Sequence, residues 1–143
     1  MLNQGYARAY RTNAVLTASP GQLVLMLYDG ILTALAKAKD ALERPENDIR
    51  RLEVINQQLL KAQAIISELQ SGLNFEAGGE VAKTLNRVYD YYNRRLFEAN
   101  MRKQVAPVVE VEKMIGELRS GWAEMLTKQG APSATPELAR GAA

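Results

Sequence analysis

The chain contains no cysteine and no histidine, a single tryptophan and only two phenylalanines. Without cysteine there are no disulfides, no thiolate metal sites and no thiol nucleophile. Without histidine the commonest general base and the commonest transition-metal ligand are both missing. The Glu-x-x-His pairs that hold two irons in some helical bundles cannot be written here. Carboxylates do not fill the gap, because Glu110 and Glu112 are two apart and point to different sides of a helix. Gly78-Gly79 lacks the Lys-Ser/Thr of a phosphate loop and reads as a helix-entry turn. The expectation is a protein that is not an enzyme and carries no metal or cofactor.

Long hydrophobic runs are absent too. The longest stretches over Leu23 to Tyr28, far short of the roughly 20 residues that cross a bilayer. Met1 to Thr12 has no apolar centre and does not read as a secretory signal. Neither membrane insertion nor secretion is therefore expected, and the lack of cysteine suits the cytoplasm. Eighteen basic and sixteen acidic residues leave a net charge of +2. Acidic residues lie between the pairs Arg50-Arg51, Arg94-Arg95 and Arg102-Lys103, which read as solvated faces rather than a nucleic-acid footprint.

What the chain does have is a heptad-like apolar spacing, repeated in four segments. It runs Leu27, Ile31, Ala34, Ala38, Leu42, then Leu52, Ile55, Leu59, Ala62, Ile66, Leu69, Leu73. The third segment reads Val81, Leu85, Val88, Tyr92, Leu96, Ala99, and the fourth Val108, Val111, Ile115, Leu118, Trp122, Met125. Alternating steps of three and four place each set on one stripe, which favours shallow helix crossing. Short connections make neighbouring helices antiparallel. The fold class expected is all-α, an antiparallel four-helix bundle.

The bundle spans residues 19–128, preceded by a short N-terminal arm (1–18) and followed by a disordered tail (129–143) rich in Ala, Pro, Gly and Ser. Ser19-Pro20-Gly21-Gln22 predicts the start of the first helix, with Ser19 as N-cap and Gln22 closing a capping box. That helix runs to about Glu43. Asn47 or Asp48 caps the second, which ends near Ser71. The stretch from Gly72 to Gly79 reads as a loop, the third helix as about Gly79 to Lys103, and Pro107 marks the fourth.

The informative residues are the apolar ones that the stripes leave unused. Leu25, Tyr28 and Leu32 sit to one side of the first stripe, and Met26 sits nearly opposite it. Val54 and Ile65 flank the second. Tyr89 flanks the third, with Phe97 and Met101 facing largely outward. Three readings stand side by side. The helices splay and pack more widely, the chain self-associates, or the surface is a groove for a helical segment of a partner. Tyr6 and Tyr10, four apart in the arm, form one sticky face that is either a permanently packed arm or a displaceable lid.

The ordered set of residues resembles the flagellin-specific export chaperones of bacteria, the FliS family. The resemblance begins at Tyr10, Val15 and Thr17-Ala18-Ser19-Pro20, and continues through Gln22-Leu23 and Leu25-Met26-Leu27-Tyr28-Asp29-Gly30. Further on it is carried by Lys61-Ala62-Gln63, Ile65-Ile66 and Glu68-Leu69, then by Tyr89-Asp90-Tyr91, Arg94-Arg95-Leu96 and Glu98-Ala99-Asn100. Glu110-Val111 and Trp122 complete it. The resemblance implies a cytosolic chaperone in a flagellated bacterium. Its implied partner is the disordered C-terminal segment of flagellin, which it shields from premature polymerisation and keeps competent for the flagellar type III export apparatus, without ATP or metal.

Wheel geometry then assigns partner contacts to Leu25, Met26, Tyr28, Ile65, Tyr89 and Phe97, with Tyr6 and Tyr10 as the displaceable cover. The free chain is expected to be a monomer or weak homodimer. The alternative of another class is a self-associating structural bundle with no flagellin client.

Overall fold

A computed structural model describes residues 18–129 of the chain. Its helices are α1 (Pro20–Leu42), α2 (Arg51–Ser71), α3 (Phe75–Arg102) and α4 (Ala106–Gln129), with no strand among the described residues. Tyr6, Tyr10, nearly all of the arm and all but the first residue of the tail lie outside them.

Local chemistry sets the helix ends. Gln22 N donates to Ser19 Oγ at 3.2 Å and Ser19 N donates to Gln22 Oε1 at 3.1 Å, the reciprocal capping box expected for α1. At α2 neither Asn47 nor Asp48 is the cap: the helix starts at Arg51 with Arg50 in the cap position, and Asp48, two residues before it, accepts from Arg50 N through Oδ1 in the turn.

α3 begins four residues before the expected start. Asn74 Oδ1 accepts from Glu76 N and Ala77 N, which nucleates a turn that the glycines had masked in the sequence. Gly79, at φ 53° and ψ −128°, then kinks the helix, a conformation that disfavours any side chain. At the other end Lys103 adopts a left-handed φ of 52°, which ends α3 at Arg102.

Sequential helices are neighbours, and α4 closes the ring against α1. The α1–α2 seam is the most extensive, because Ala34, Ala38, Ala41 and Ala62 allow close approach. The α3–α4 seam is the sparsest. At the closure, a Cβ added to Gly21 would sit 2.7 Å from Leu126 Cδ2, so the start of α1 presses on the end of α4. Trp122 Nε1 donates to Gly21 O at 2.9 Å in the same place. Lys39–Glu112 at 2.7 Å and Arg119–Asp29 add ion pairs along the α1–α4 seam.

The core differs from the four narrow stripes in two ways. Leu52 and Val81, both stripe residues, are exposed. Tyr28 and Tyr89, read from the sequence as flank residues of a groove, are each only 2% exposed and belong to the core. Their hydroxyls meet at 2.7 Å across the bundle diagonal from α1 to α3. Tyr92 packs edge-on against Tyr89, and burial, with Tyr28 close by, pushes its phenol up to about 12. The physical reason is width. α1 is enclosed by neighbours on both flanks, so its buried arc takes in Val24, Tyr28 and Leu35 as well as the stripe.

Candidate functional site

α3 and α4 are tied together at their turn end and open at the other. Near the turn, Tyr91 Oη donates to Glu110 Oε2 at 2.6 Å, and Arg95 Nε donates to Glu110 Oε1 at 2.7 Å. Arg95 also reaches Glu98 at 2.6 Å. These bonds, the Tyr91 hydroxyl first and the Arg95 guanidinium second, hold the Glu110 carboxyl below the usual carboxylate range.

A depressed folded-state pKa means the unfolded chain takes up the proton first. The contribution of Glu110 is thus complete above the ordinary glutamate pKa of about 4.3 and lost as pH falls through the lower folded value. Glu110→Gln is expected to flatten the decline of the melting temperature below about pH 5 relative to wild type. Parallel melting-temperature curves for the two proteins would show that the clamp contributes nothing.

Beyond the clamp the helices part, and an apolar cleft of about 490 Å³ opens between the first half of α3 and the second half of α4. Its walls are Val81 and Leu85 from α3 and Leu118, Trp122 and Met125 from α4, and Tyr28 contributes to its floor. Thr84 and Gly121 leave room at the sides, while Glu80 and Glu117 stand on the rim. Val81 is 44% exposed at the mouth, and Leu85, Leu118 and Met125 are half-buried with one side against the core. Among the described residues no cluster of acidic side chains could hold a metal ion. What the groove offers is an apolar, adaptable surface for large apolar side chains, with a Met and a Trp in its wall.

The wall residues were all legible as apolar, but as core. They are members of the third and fourth heptad stripes, and among the described residues nothing covers the outer side of Val81, Leu85, Leu118 and Met125 at this end. Of the six contacts assigned by wheel geometry, only Tyr28 reaches the groove, and it does so from the core. Tyr89 is interior. Leu25 packs on the core from the flank of α1, and Met26 is half-buried outside the core cluster. Ile65 lies in the α1–α2 seam, where its Cδ1 would be 3.2 Å from a Cβ on Gly30. Phe97 is exposed on a different face of α3. No described helix is long and apolar enough to cross a membrane.

Comparison with known proteins covers the whole of the bundle. The profile of the family described as "Flagellar protein FliS" matches residues 2–129. The chain is 36% identical over 121 residues to the flagellar secretion chaperone FliS of Bacillus subtilis, covering 85% of this chain and 86% of that one. It is 36% identical over 126 residues to the Salmonella typhimurium flagellar secretion chaperone FliS, covering 87% and 90%. The Escherichia coli chaperone of the same description is 38% identical over 124 residues, covering 86% and 88%.

Proposed function

The chain belongs to the FliS family of flagellar secretion chaperones, not enzymes, and from that premise we propose that it binds the disordered C-terminal segment of flagellin. Bound there, the segment is kept from premature polymerisation and remains competent for export through the flagellar type III apparatus. The setting for this work is the bacterial cytosol.

The observation that carries this reading is the apolar groove between α3 and α4, which no other described residue fills. A client segment folding into it as a helix places large apolar residues against Val81, Leu85, Leu118 and Met125. Coupled folding of this kind typically buries on the order of 1,000–3,000 Å² and spends about 2–5 kcal/mol on ordering the segment. Tyr28 is the one member of the wheel-derived contact set that this geometry retains, as floor rather than rim.

The arm fits the role of a displaceable cover. α1 starts at the groove's own end, where Gly21 meets Trp122 and Leu126. Residues 1–17 carry Tyr6 and Tyr10 as apolar anchors and Arg8 and Arg11 with no acidic residue. Those arginines complement Glu80 and Glu117 on the rim.

Trp122 is the chain's single tryptophan and lies in the groove wall, so it reports occupancy directly. Titration with a tryptophan-free flagellin C-terminal peptide is expected to reduce acrylamide quenching of its fluorescence and to saturate near one peptide per chain. Quenching that stays constant while sedimentation shows the peptide bound would move the client to another face.

A further inference from the structure

The outer face of the α2–α3 hairpin carries a second apolar patch, separate from the groove. Along this seam α2 and α3 meet through a ladder of polar side chains. Asn100 Nδ2 donates to Asn56 Oδ1 at 3.0 Å, Gln63 Nε2 donates to Asn93 O at 3.2 Å, and Gln70 Nε2 donates to Asp90 Oδ1 at 2.7 Å. The rung between the first two of these falls on Leu60 and Phe97, and it is apolar. Leu60 is 53% exposed, Phe97 59%, and Met101, one turn on, 69%. Polar side chains make the other outer contacts of this seam, and among the described residues nothing covers the exposed leucine and phenylalanine at this rung.

Charge identifies what fits. Arg87, Arg94 and Arg102 stand along the same side of α3, beside the clefts on either flank of Phe97. None of the three is in an ion pair among the described residues, whereas Arg95 next door is paired twice. Of the acids on this face, Glu98 pairs with Arg95 and Asp90 accepts from the neutral Gln70 amide, so one carboxylate stands against three arginines. Steps of seven and eight residues separate the arginines, about 10–12 Å apart along the helix. A helix lying alongside α3 with a carboxylate every seventh residue matches that spacing.

The chain's own segments do not qualify. Residues 1–17 hold arginines and no acid, and residues 130–143 hold one glutamate and one arginine. A second copy, with a net charge of +2, brings no excess of carboxylate to these arginines.

We infer that the Leu60–Phe97–Met101 face of the α2–α3 hairpin is a docking surface for an acidic amphipathic helix of a second protein, distinct from the client bound between α3 and α4. The apolar stripe of that helix covers Phe97 and Met101, and its carboxylates pair with Arg94 and Arg102. Chaperone and client thus present a separate face to a further partner.

Two methionines make the test direct, because Met101 marks this face and Met125 marks the groove. The full chain is labelled at its methionine methyls and titrated with a designed amphipathic helical peptide bearing leucines on one stripe and glutamates beside them. A matched peptide has lysine for every glutamate. The acidic peptide is expected to shift the Met101 methyl while leaving Met125 in place, and to bind at least tenfold more tightly than the lysine version at low salt. In the Arg94→Glu, Arg102→Glu double variant, binding of the acidic peptide falls at least tenfold, and a flagellin C-terminal peptide still moves Met125. Four results would each overturn the inference: equal binding of both peptides, a shift at Met125 instead of Met101, a Met101 shift driven by protein concentration alone, or tighter binding of single-stranded DNA than of the acidic peptide.

Discussion

Val81→Glu is expected to weaken binding of a flagellin C-terminal peptide by roughly 30- to 100-fold, about 2–3 kcal/mol, while leaving the fold intact. Two effects add. Covering the exposed part of the valine with the client contributes about 1 kcal/mol, which the substitution forfeits. The new carboxylate must also lose water in an apolar groove whose rim already carries Glu80 and Glu117. In the free chain, by contrast, Val81 is 44% exposed and a glutamate there stays solvated. Helix content by circular dichroism and the melting midpoint therefore remain close to wild type. Unchanged affinity would remove the groove from the client site.

Tyr89→Ala has the opposite signature: loss of stability first, with any loss of binding following from it. The side chain is 2% exposed, contacts Tyr92 edge-on, and joins α3 to α1 through the Tyr28 hydroxyl. Removing a buried aromatic of this size costs about 3–5 kcal/mol, because the transfer free energy is lost and a cavity remains. Tyr89→Phe keeps the ring and removes the hydroxyl with its bond to Tyr28, so its cost is smaller, about 0.5–1.5 kcal/mol. Urea denaturation of the two variants separates packing from hydrogen bonding. A midpoint for Tyr89→Ala equal to wild type would contradict the buried placement. On the flank reading of the sequence, alanine at Tyr89 would weaken only partner binding. Burial reverses that expectation, and Phe97→Ala is the one of the pair that leaves the core untouched.

The contrast between Val81 and Tyr89 shows how much a linear pattern conveys. Four helices, their order and most of their ends were legible, since apolar periodicity and the Ser19–Gln22 capping box are local properties. The start of α3 was not, because Asn74 as a cap overrides two glycines that read as loop. The site itself was legible as residues and illegible as a place. Leu85, Leu118, Trp122 and Met125 carry the same heptad signal as Ile115 and Leu96, and a stripe says only that a face needs a partner. Whether the partner is another helix of the same chain depends on how far α3 and α4 stay together, and that is settled by long-range contacts. The clamp at Glu110 holds one end, and Gly21 draws the far end of α4 toward α1 instead of α3. Tyr28 and Tyr89 illustrate the converse. Each is off-stripe on its own helix, and it is enclosure by neighbouring helices that makes both interior, where their hydroxyls meet.

The central claim is that the α3–α4 groove captures a folding segment of flagellin. Calorimetric titration of the full chain with a synthetic flagellin C-terminal peptide at several temperatures tests it most directly. The account predicts saturation near one peptide per chain and a large negative heat-capacity change, the signature of apolar burial coupled to folding. No binding by a protein shown to be folded and monomeric, or binding without a heat-capacity change, would contradict it.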